Sequence, residues 1–475
     1  MTALQRMDSW PHTKRPLPWV FALFLASIFL LPIDATQLKV HLPFSSESDR
    51  FFAAFVIGVW ACGLVTAKRS GRLRLRPRGW ATAMIVFFAI AIISLVVNFD
   101  RITNLGEWET AEKRLVLLIT LVGLFAVFSV SLRVTELRAF GVLIVILACI
   151  TALGTIYEEK AHDNLFYSTA STVLSPIAEV EPAPTEAGAD PSAPGRPMIS
   201  GPTRHALSLA TILGMAVPFA IVFAAGAPST RRKLLWGAAA LLIIAGALIT
   251  QRRSGLIVPA VAIAALFAFR PRQFLPLIPI ALVAIVVGFA IKGGSISVIT
   301  QLTGGENKAS DEGRTADYEA VVPDVLTHPA LGRGYGTLDS LKVDTYRIFD
   351  NEYLGELYQT GFLGLLAFIA LILTPVVIAV RYAARRDNPL RGPPALAAAA
   401  GILGFFVAAG LYDILTFPQA PYLFLFMAAM CTTAASVEKV APAAAAASRA
   451  RPPRRATPPR RPRGARMPGP EPGRA

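Results

Sequence analysis

Twelve long, almost uncharged apolar blocks constrain this chain more than any other feature: 17–33, 51–67, 79–98, 115–132, 139–157, 205–226, 234–250, 255–270, 274–291, 353–380, 395–412 and 420–436. A helix needs about 20 apolar residues to cross a bilayer. In hydrocarbon every backbone N–H and C=O must be satisfied inside the segment, so the helix is the spanning form for blocks of this length. With 54% hydrophobic and 16% charged residues, the composition is that of a membrane protein. The expected fold is an all-α polytopic membrane protein of about 12 transmembrane helices, with a large, partly helical extracytoplasmic loop between spans 9 and 10. The first block has a basic flank but lacks a small-residue cleavage site, so it reads as a retained first helix and not as a signal peptide. Cys62, Cys149 and Cys431 all lie inside apolar blocks and read as small buried hydrophobes, which points to neither a disulfide framework nor a metal cluster.

The formal charge of +15 would suit nucleic acid if it were gathered on one soluble face, but its distribution follows the apolar blocks instead. With the N-terminus placed in the cytoplasm, the inside segments carry 30 of the 46 lysines and arginines and only five of the 31 acids. The Lys/Arg bias of the short loops is the positive-inside rule, and it predicts both termini in the cytoplasm of a multi-pass protein of the cell inner or plasma membrane. The expected organisation is a five-span region over 1–157, a Pro/Ala/acid-rich outer loop over 158–203 that is disordered in part, spans 6–9 over 204–291, a large outer loop over 292–352, spans 10–12 over 353–439, and a disordered basic cytoplasmic tail over 440–475. The Pro/Arg-rich tail reads as a solvated segment touching anionic lipid, with no nucleic-acid partner.

Four stretches carry chemistry. In "ITQRRSGLI", 249–257, Arg252 and Arg253 sit on the outer side in a turn of about four residues, where the positive-inside bias disfavours them. They read either as snorkelling anchors or as guanidinium groups set for an anion, since the planar donor fork grips two phosphate oxygens and stays charged. In "GRTADYEAVVPDVLTHPALGRGYG", 313–336, Arg314 leads a helix-like stretch that stops near Pro329, and Gly332, Gly334 and Gly336 open a turn. Those glycines let the backbone return closely to the membrane; a nucleotide loop would need a strand before them and Lys-Ser/Thr after them. In "FDNEYLGELYQTGFLGLLAF", 349–368, Asp350 is either a helix cap or a base, and Glu356 lies one to two turns further in, either packed against Arg or Tyr or facing a wet cavity. In "GPTRHALSLATILGMAVP", 201–218, His205 is either a packed histidine or a substrate contact. Asp311 beside Glu312 reads as a solvated pair, and the histidines show no ligand spacing, so neither metal nor cofactor is expected.

The first three of these stretches, in this order, resemble the O-antigen ligase and Wzy-type polymerase superfamily of bacterial envelope glycosyltransferases, and 201–218 is a further similar stretch. That superfamily shows a T-x-S-R-G-like turn, an Arg-led segment ending in hP-x-x-G-x-G, and an H-N-x-Y-L…G-x-x-G opening of the next span. The resemblance covers roughly 200–380 and puts Arg253 on the turn arginine, Arg252 on the serine before it, and Arg314 on the loop arginine. Asp350 falls where the ligases carry a functionally important histidine. A carboxylate accepts a proton but cannot be a cationic partner of phosphate, so either the base or the reaction differs. The resemblance implies a metal-independent transfer or polymerisation of an undecaprenyl-pyrophosphate-linked oligosaccharide onto an acceptor hydroxyl of a glycan or lipid. Arg252, Arg253 and Arg314 would hold the pyrophosphate, Asp350 or Glu356 would take the proton, and His205 would touch substrate. The rival expectation is a transporter or flippase of polyprenyl-linked glycan, although such proteins favour ionisable groups at the midplane.

Overall fold

Eleven of the twelve apolar blocks coincide with helices in a computed structural model, which describes residues 10–39, 48–69, 80–184, 189–190, 193–274, 319, 321–323, 325–337, 351–385 and 392–436. The block at 274–291 lies outside the described residues apart from its first, as does the tail. The helices are α1 Pro16–Leu30, α2 Ser48–Arg69, α3 Ala81–Val97, the short α4 Phe99–Asn104, α5 Trp108–Ser131, α6 Leu137–Ala161 and α7 Leu165–Leu174. They continue with α8 Ala206–Ala225, α9 Thr230–Ile249, α10 Arg253–Phe269, α11 Pro271–Phe274, α12 Glu352–Arg385, α13 Gly392–Ala408 and α14 Gln419–Ser436. Among the described residues, five helical stretches, those ending at Ser131, Ala161, Ala225, Ile249 and Ala383, are long and apolar enough to cross a membrane by length and composition. The other apolar helices fall short of that, including the Arg50–Val65 stretch of α2 and the Gln419–Ala435 stretch of α14.

Hydrogen bonds sort the helix ends into two groups, as alternating spans require. At one end Arg15, before α1, pairs with the buried Glu136 before α6, and Arg270, after α10, donates to Ala383 O of α12. At the other end Thr36–Leu38, after α1, forms an antiparallel ladder with Ala178–Val180, after α7. Glu352 N, at the start of α12, donates there to Ala409 O after α13.

The centre of the bundle is α8, buried over nearly its whole length among α6, α9, α10, α13 and α14. Small residues allow that packing. A methyl added at Gly214 would lie 2.6 Å from Val258 Cγ1 of α10, and one at Gly401 of α13 would lie 2.6 Å from Met215 O. Close backbone approach of this kind replaces, between helices in lipid, the hydrophobic drive that operates in water. The outward faces carry exposed Ile85, Val86, Leu234, Leu235, Leu363 and Leu366, as a lipid-facing rim demands. Cys62 also belongs to an outward face and is exposed, so the expectation of a buried residue holds for Cys431 and not for Cys62.

Candidate functional site

The arginine turn forms because α9 and α10 meet almost backbone to backbone. Only Thr250, Gln251 and Arg252 lie between them, and Gln251 takes a left-handed conformation (φ 52°) to reverse the chain. Gly255 accepts the close approach: a Cβ there would lie 2.3 Å from Ala247 O. Arg252 is the extended N-cap and Arg253 the first helical residue, both half-buried. The first turn of α10 contains no acid, so two guanidinium groups stand at the positive end of a helix dipole, beside the buried Ser254 hydroxyl.

The glycine-rich segment does not cover a nucleotide. It splices a broken helix. Gly361 interrupts α12 with φ 66° and ψ −168°, and the bonds the helix loses are remade by residues 329–336. Arg333 N donates to Tyr358 O (3.0 Å) and Gly334 N to Gln359 O (2.9 Å), while Phe362 N donates to Pro329 O (2.8 Å) and Leu363 N to Ala330 O (3.3 Å). Gly336 N donates to Gln359 Oε1 (2.7 Å), and the Ser94 hydroxyl lies 2.6 Å from Leu331 O and 2.9 Å from Gln359 O. Non-helical backbone survives at membrane depth only where such partners replace the lost ones.

This splice brings Tyr335 against the start of α12. Burial and the charge of Glu356 push the Tyr335 phenol up, with Arg114 opposing and Glu352 adding to the rise, so Tyr335 stays neutral at any physiological pH. Glu356 is buried, and Thr360 Oγ1 donates to its Oε2 (3.1 Å). Arg114, near the start of α5, donates to Thr416 Oγ1 (3.0 Å), and Leu415 N donates to Glu352 Oε2 (2.9 Å). The turn over 409–419 is therefore a hub. It binds α12 through Glu352, α5 through Arg114, and α8 through Tyr412, whose hydroxyl donates to Thr211 Oγ1 (3.0 Å). Below Tyr335 and Leu415 an apolar crevice opens between α3, α5, α12, α13 and α14, lined in part by Phe87, Leu118, Phe368 and Phe405.

His205 caps α8: its Nδ1 accepts from Leu207 N (3.2 Å), and its ring lies 5.5 Å from that of Phe417 in the same hub. The segment before it, part of the loop expected to be disordered in part, is buried over 199–203 and held by a carboxylate. Glu158 accepts from Gly201 N (2.8 Å) and Ser200 N (3.3 Å) and from Asn164 Nδ2 (2.9 Å). Arg204 N donates to Asp34 Oδ2 (2.9 Å) after α1. Burial raises Asp34 from 3.8 to about 6, against the pull of the Arg204 N–H and the neighbouring Gln419 amide. Because the folded value lies above the unfolded one, the protonated carboxyl favours the fold below about pH 4, and that advantage is lost as pH rises through about 6. Asp34→Asn is accordingly expected to raise the unfolding midpoint of the detergent-solubilised protein at pH 8 and to change it far less at pH 4.5. An equal change at both pH values would show that Asp34 ionises normally.

Of the residues singled out from sequence, Arg252, Arg253, His205 and Glu356 belong to elements that meet at one end of the bundle. Arg314 and Asp350 lie outside the described residues. Arg114, Glu352, Tyr335 and Thr416 were missed. The i, i+4 spacing of Glu352 and Glu356 places both on one helix face and was a usable signal, whereas nothing local distinguishes Arg114 from an interfacial anchor. No curated protein matches the chain. The stretch over 201–218 lies N-terminal to the family match, which runs from within α9 to beyond the break in α12. Residues 238–369 match the family model described as O-antigen ligase, which supports the resemblance of this part of the chain to the O-antigen ligase/polymerase superfamily.

Proposed function

We propose that this protein is an extracytoplasmic glycosyltransferase that moves or polymerises an undecaprenyl-pyrophosphate-linked oligosaccharide onto an acceptor hydroxyl. The observation that carries the reading is the acid-free N-terminus of α10 with Arg252 and Arg253 upon it, inside the O-antigen ligase match and at the same end of the bundle as the buried Glu356. The acceptor oxygen attacks C1 of the donor sugar, the C1–O bond to phosphate breaks, and polyprenyl pyrophosphate leaves with the bonding electrons. Arg253, with Arg252 and Arg314, meets the charge that grows on the leaving group, which lowers the barrier because the contact strengthens in the transition state. The acceptor proton passes to a carboxylate, Glu356 or Asp350. Neighbouring Tyr335 supplies a neutral hydroxyl.

In this reading about 12 helices span the cell inner membrane and both termini are cytoplasmic. The test is reconstitution: protein in liposomes receives a polyprenyl-pyrophosphate oligosaccharide and candidate acceptors, and glycan mass and free polyprenyl pyrophosphate are followed. Glycan must grow and pyrophosphate must accumulate together. Donor that crosses the bilayer without either change would identify a flippase instead. Glu356→Gln is expected to slow transfer about 10²–10⁴-fold, the usual contribution of a general base. A wild-type rate would remove Glu356 from the chemistry and leave Asp350 as the base.

A further inference from the structure

Two helices gauge where this end of the bundle meets lipid. Beyond Arg114, α5 carries no charge to its end at Ser131, a length of about 25 Å at about 1.5 Å per residue. Beyond Gly361, α12 carries no charge until Arg381, a length of about 30 Å. Both lengths suit the hydrocarbon core of a bilayer, about 30 Å thick. The glycine splice ties Arg114 and Gly361 to one level: a Cβ at Gly336 would lie 3.0 Å from Arg114 Cβ, and one at Gly332 would lie 2.5 Å from Gln359 C. The splice therefore marks an edge of the hydrocarbon layer.

Large apolar side chains are exposed at that edge, on two elements that the splice holds. The elbow made by α4 and the start of α5 exposes Phe99, Leu105 (51%) and Trp108, and the rings of Phe99 and Trp108 meet edge-on at 5.4 Å. Asn98 Nδ2 donates to Gly332 O (3.3 Å), and a Cβ at Gly334 would lie 2.7 Å from Ile102 Cδ1, so the elbow is fixed to the splice. The second element is helical at 319, 321–323 and 325–327. Its Val321 and Val325 are buried with Leu354 of α12, whereas Val322 and Leu326 (72%), also one turn apart, are exposed. Both sets continue lipid-facing rows. Phe99 follows the exposed Val96 and Val97 of α3, and residues 329–330, just after Leu326, accept from the backbone of the exposed Phe362 and Leu363.

We propose that Phe99, Leu105, Trp108, Val322 and Leu326 form a collar that docks in the headgroup–acyl boundary of the bilayer, in the outer leaflet for the orientation read from charge. Lipid is the occupant because the collar prolongs two lipid-facing rows at the level that α5 and α12 each give for the hydrocarbon edge. Tryptophan belongs there, where an amphipathic ring meets both phases. Segments lying in this boundary bury their apolar side chains by roughly 5–10 Å, within reach of side chains as long as Leu326 and Phe99. The collar also fixes the depth of the hub: Glu356, five residues before Gly361, stands about 7.5 Å outside the hydrocarbon edge, in the layer of lipid phosphates. The assignment holds whether or not the protein transfers glycan.

The test is depth-dependent quenching in the full-length protein, reconstituted in bilayers of phosphatidylethanolamine and phosphatidylglycerol. An environment-sensitive fluorescent amino acid replaces Leu326, Leu105 or, as the deep reference, Leu366. Each variant meets three quenchers: a nitroxide on the lipid headgroup, a nitroxide midway down the acyl chain, and aqueous iodide. At positions 326 and 105 the headgroup nitroxide is expected to remove more fluorescence than either of the others. At position 366 the mid-chain nitroxide is expected to remove most. Loss mainly to iodide at position 326 or 105 would place that element in water, and loss mainly to the mid-chain nitroxide would make it a re-entrant segment. No loss to any of the three would mean that protein covers it. Each of these results overturns the collar. Val322 and Phe99 take the label in place of Leu326 and Leu105 where a labelled variant does not fold.

Discussion

Arg253→Ala is expected to abolish glycan assembly while the protein still inserts and folds. Arg253 is the first helical residue of α10, so it adds a fixed full charge where the helix already presents unsatisfied N–H groups. A departing pyrophosphate gains charge as the sugar–oxygen bond stretches, and a preplaced guanidinium stabilises that state without rearrangement. Deleting a comparable preorganised donor costs about 10²–10³ in rate, roughly 2.7–4 kcal/mol. Lysine should restore part of the loss, because it returns the charge without the bidentate fork. Stability should change little, since Arg253 is half-buried and the turn is built by Gln251 and Gly255. The measurement is the glycan profile of cells carrying the variant, with the protein quantified in the membrane fraction. A full glycan profile at normal protein level would exclude the pyrophosphate role.

How far the site could be read from the chain depended on whether its cause was local. The apolar blocks became helices because length and hydrophobicity act within a segment, and the arginine pair stood out because charge in a short outer turn is locally unfavourable. The hub could not be read in the same way. Arg114 meets Thr416 across 302 positions of sequence, and Leu415 N meets Glu352 across 63. The uninterrupted span expected over 353–380 is in fact two helical pieces. A lone glycine in an apolar run costs a helix only about 1 kcal/mol, so nothing near Gly361 announces a break. The signal lay in the glycine run at 332, 334 and 336, which lets the chain pass closely by its neighbours: Gly332 by Gln359 of α12, Gly334 by Asn98 and Ile102, and Gly336 by Ala111 and Arg114 of α5.

That splice leads to the second large effect, the loss of folded protein in Gly361→Ala. A Cβ at 361 would lie 2.5 Å from both Ala330 C and Ala330 O and 2.7 Å from Leu331 N, all of it backbone that has no rotamer to turn away. The backbone angles themselves, φ 66° with ψ −168°, belong to a region essentially reserved for glycine. Strain of about 1–3 kcal/mol adds to overpacking of about 1–3 kcal/mol, against a total stability of about 5–15 kcal/mol for an ordinary domain. Relief by separating the segments would strand four backbone hydrogen bonds at membrane depth, so the bundle has no inexpensive way to yield. Gly332→Ala should behave alike, since its Cβ would meet Gln359 C at 2.5 Å from the other side of the splice. Gly237→Ala is the matched control: it sits within helix α9 with nothing within 4 Å, and alanine there should leave the midpoint unchanged or slightly raised. Thermal unfolding in detergent and membrane-fraction abundance decide the matter. Gly361→Ala protein that accumulates and melts like Gly237→Ala would mean that the break in α12 is not built into the native fold. The position of Tyr335 beside Glu356 would then need another cause.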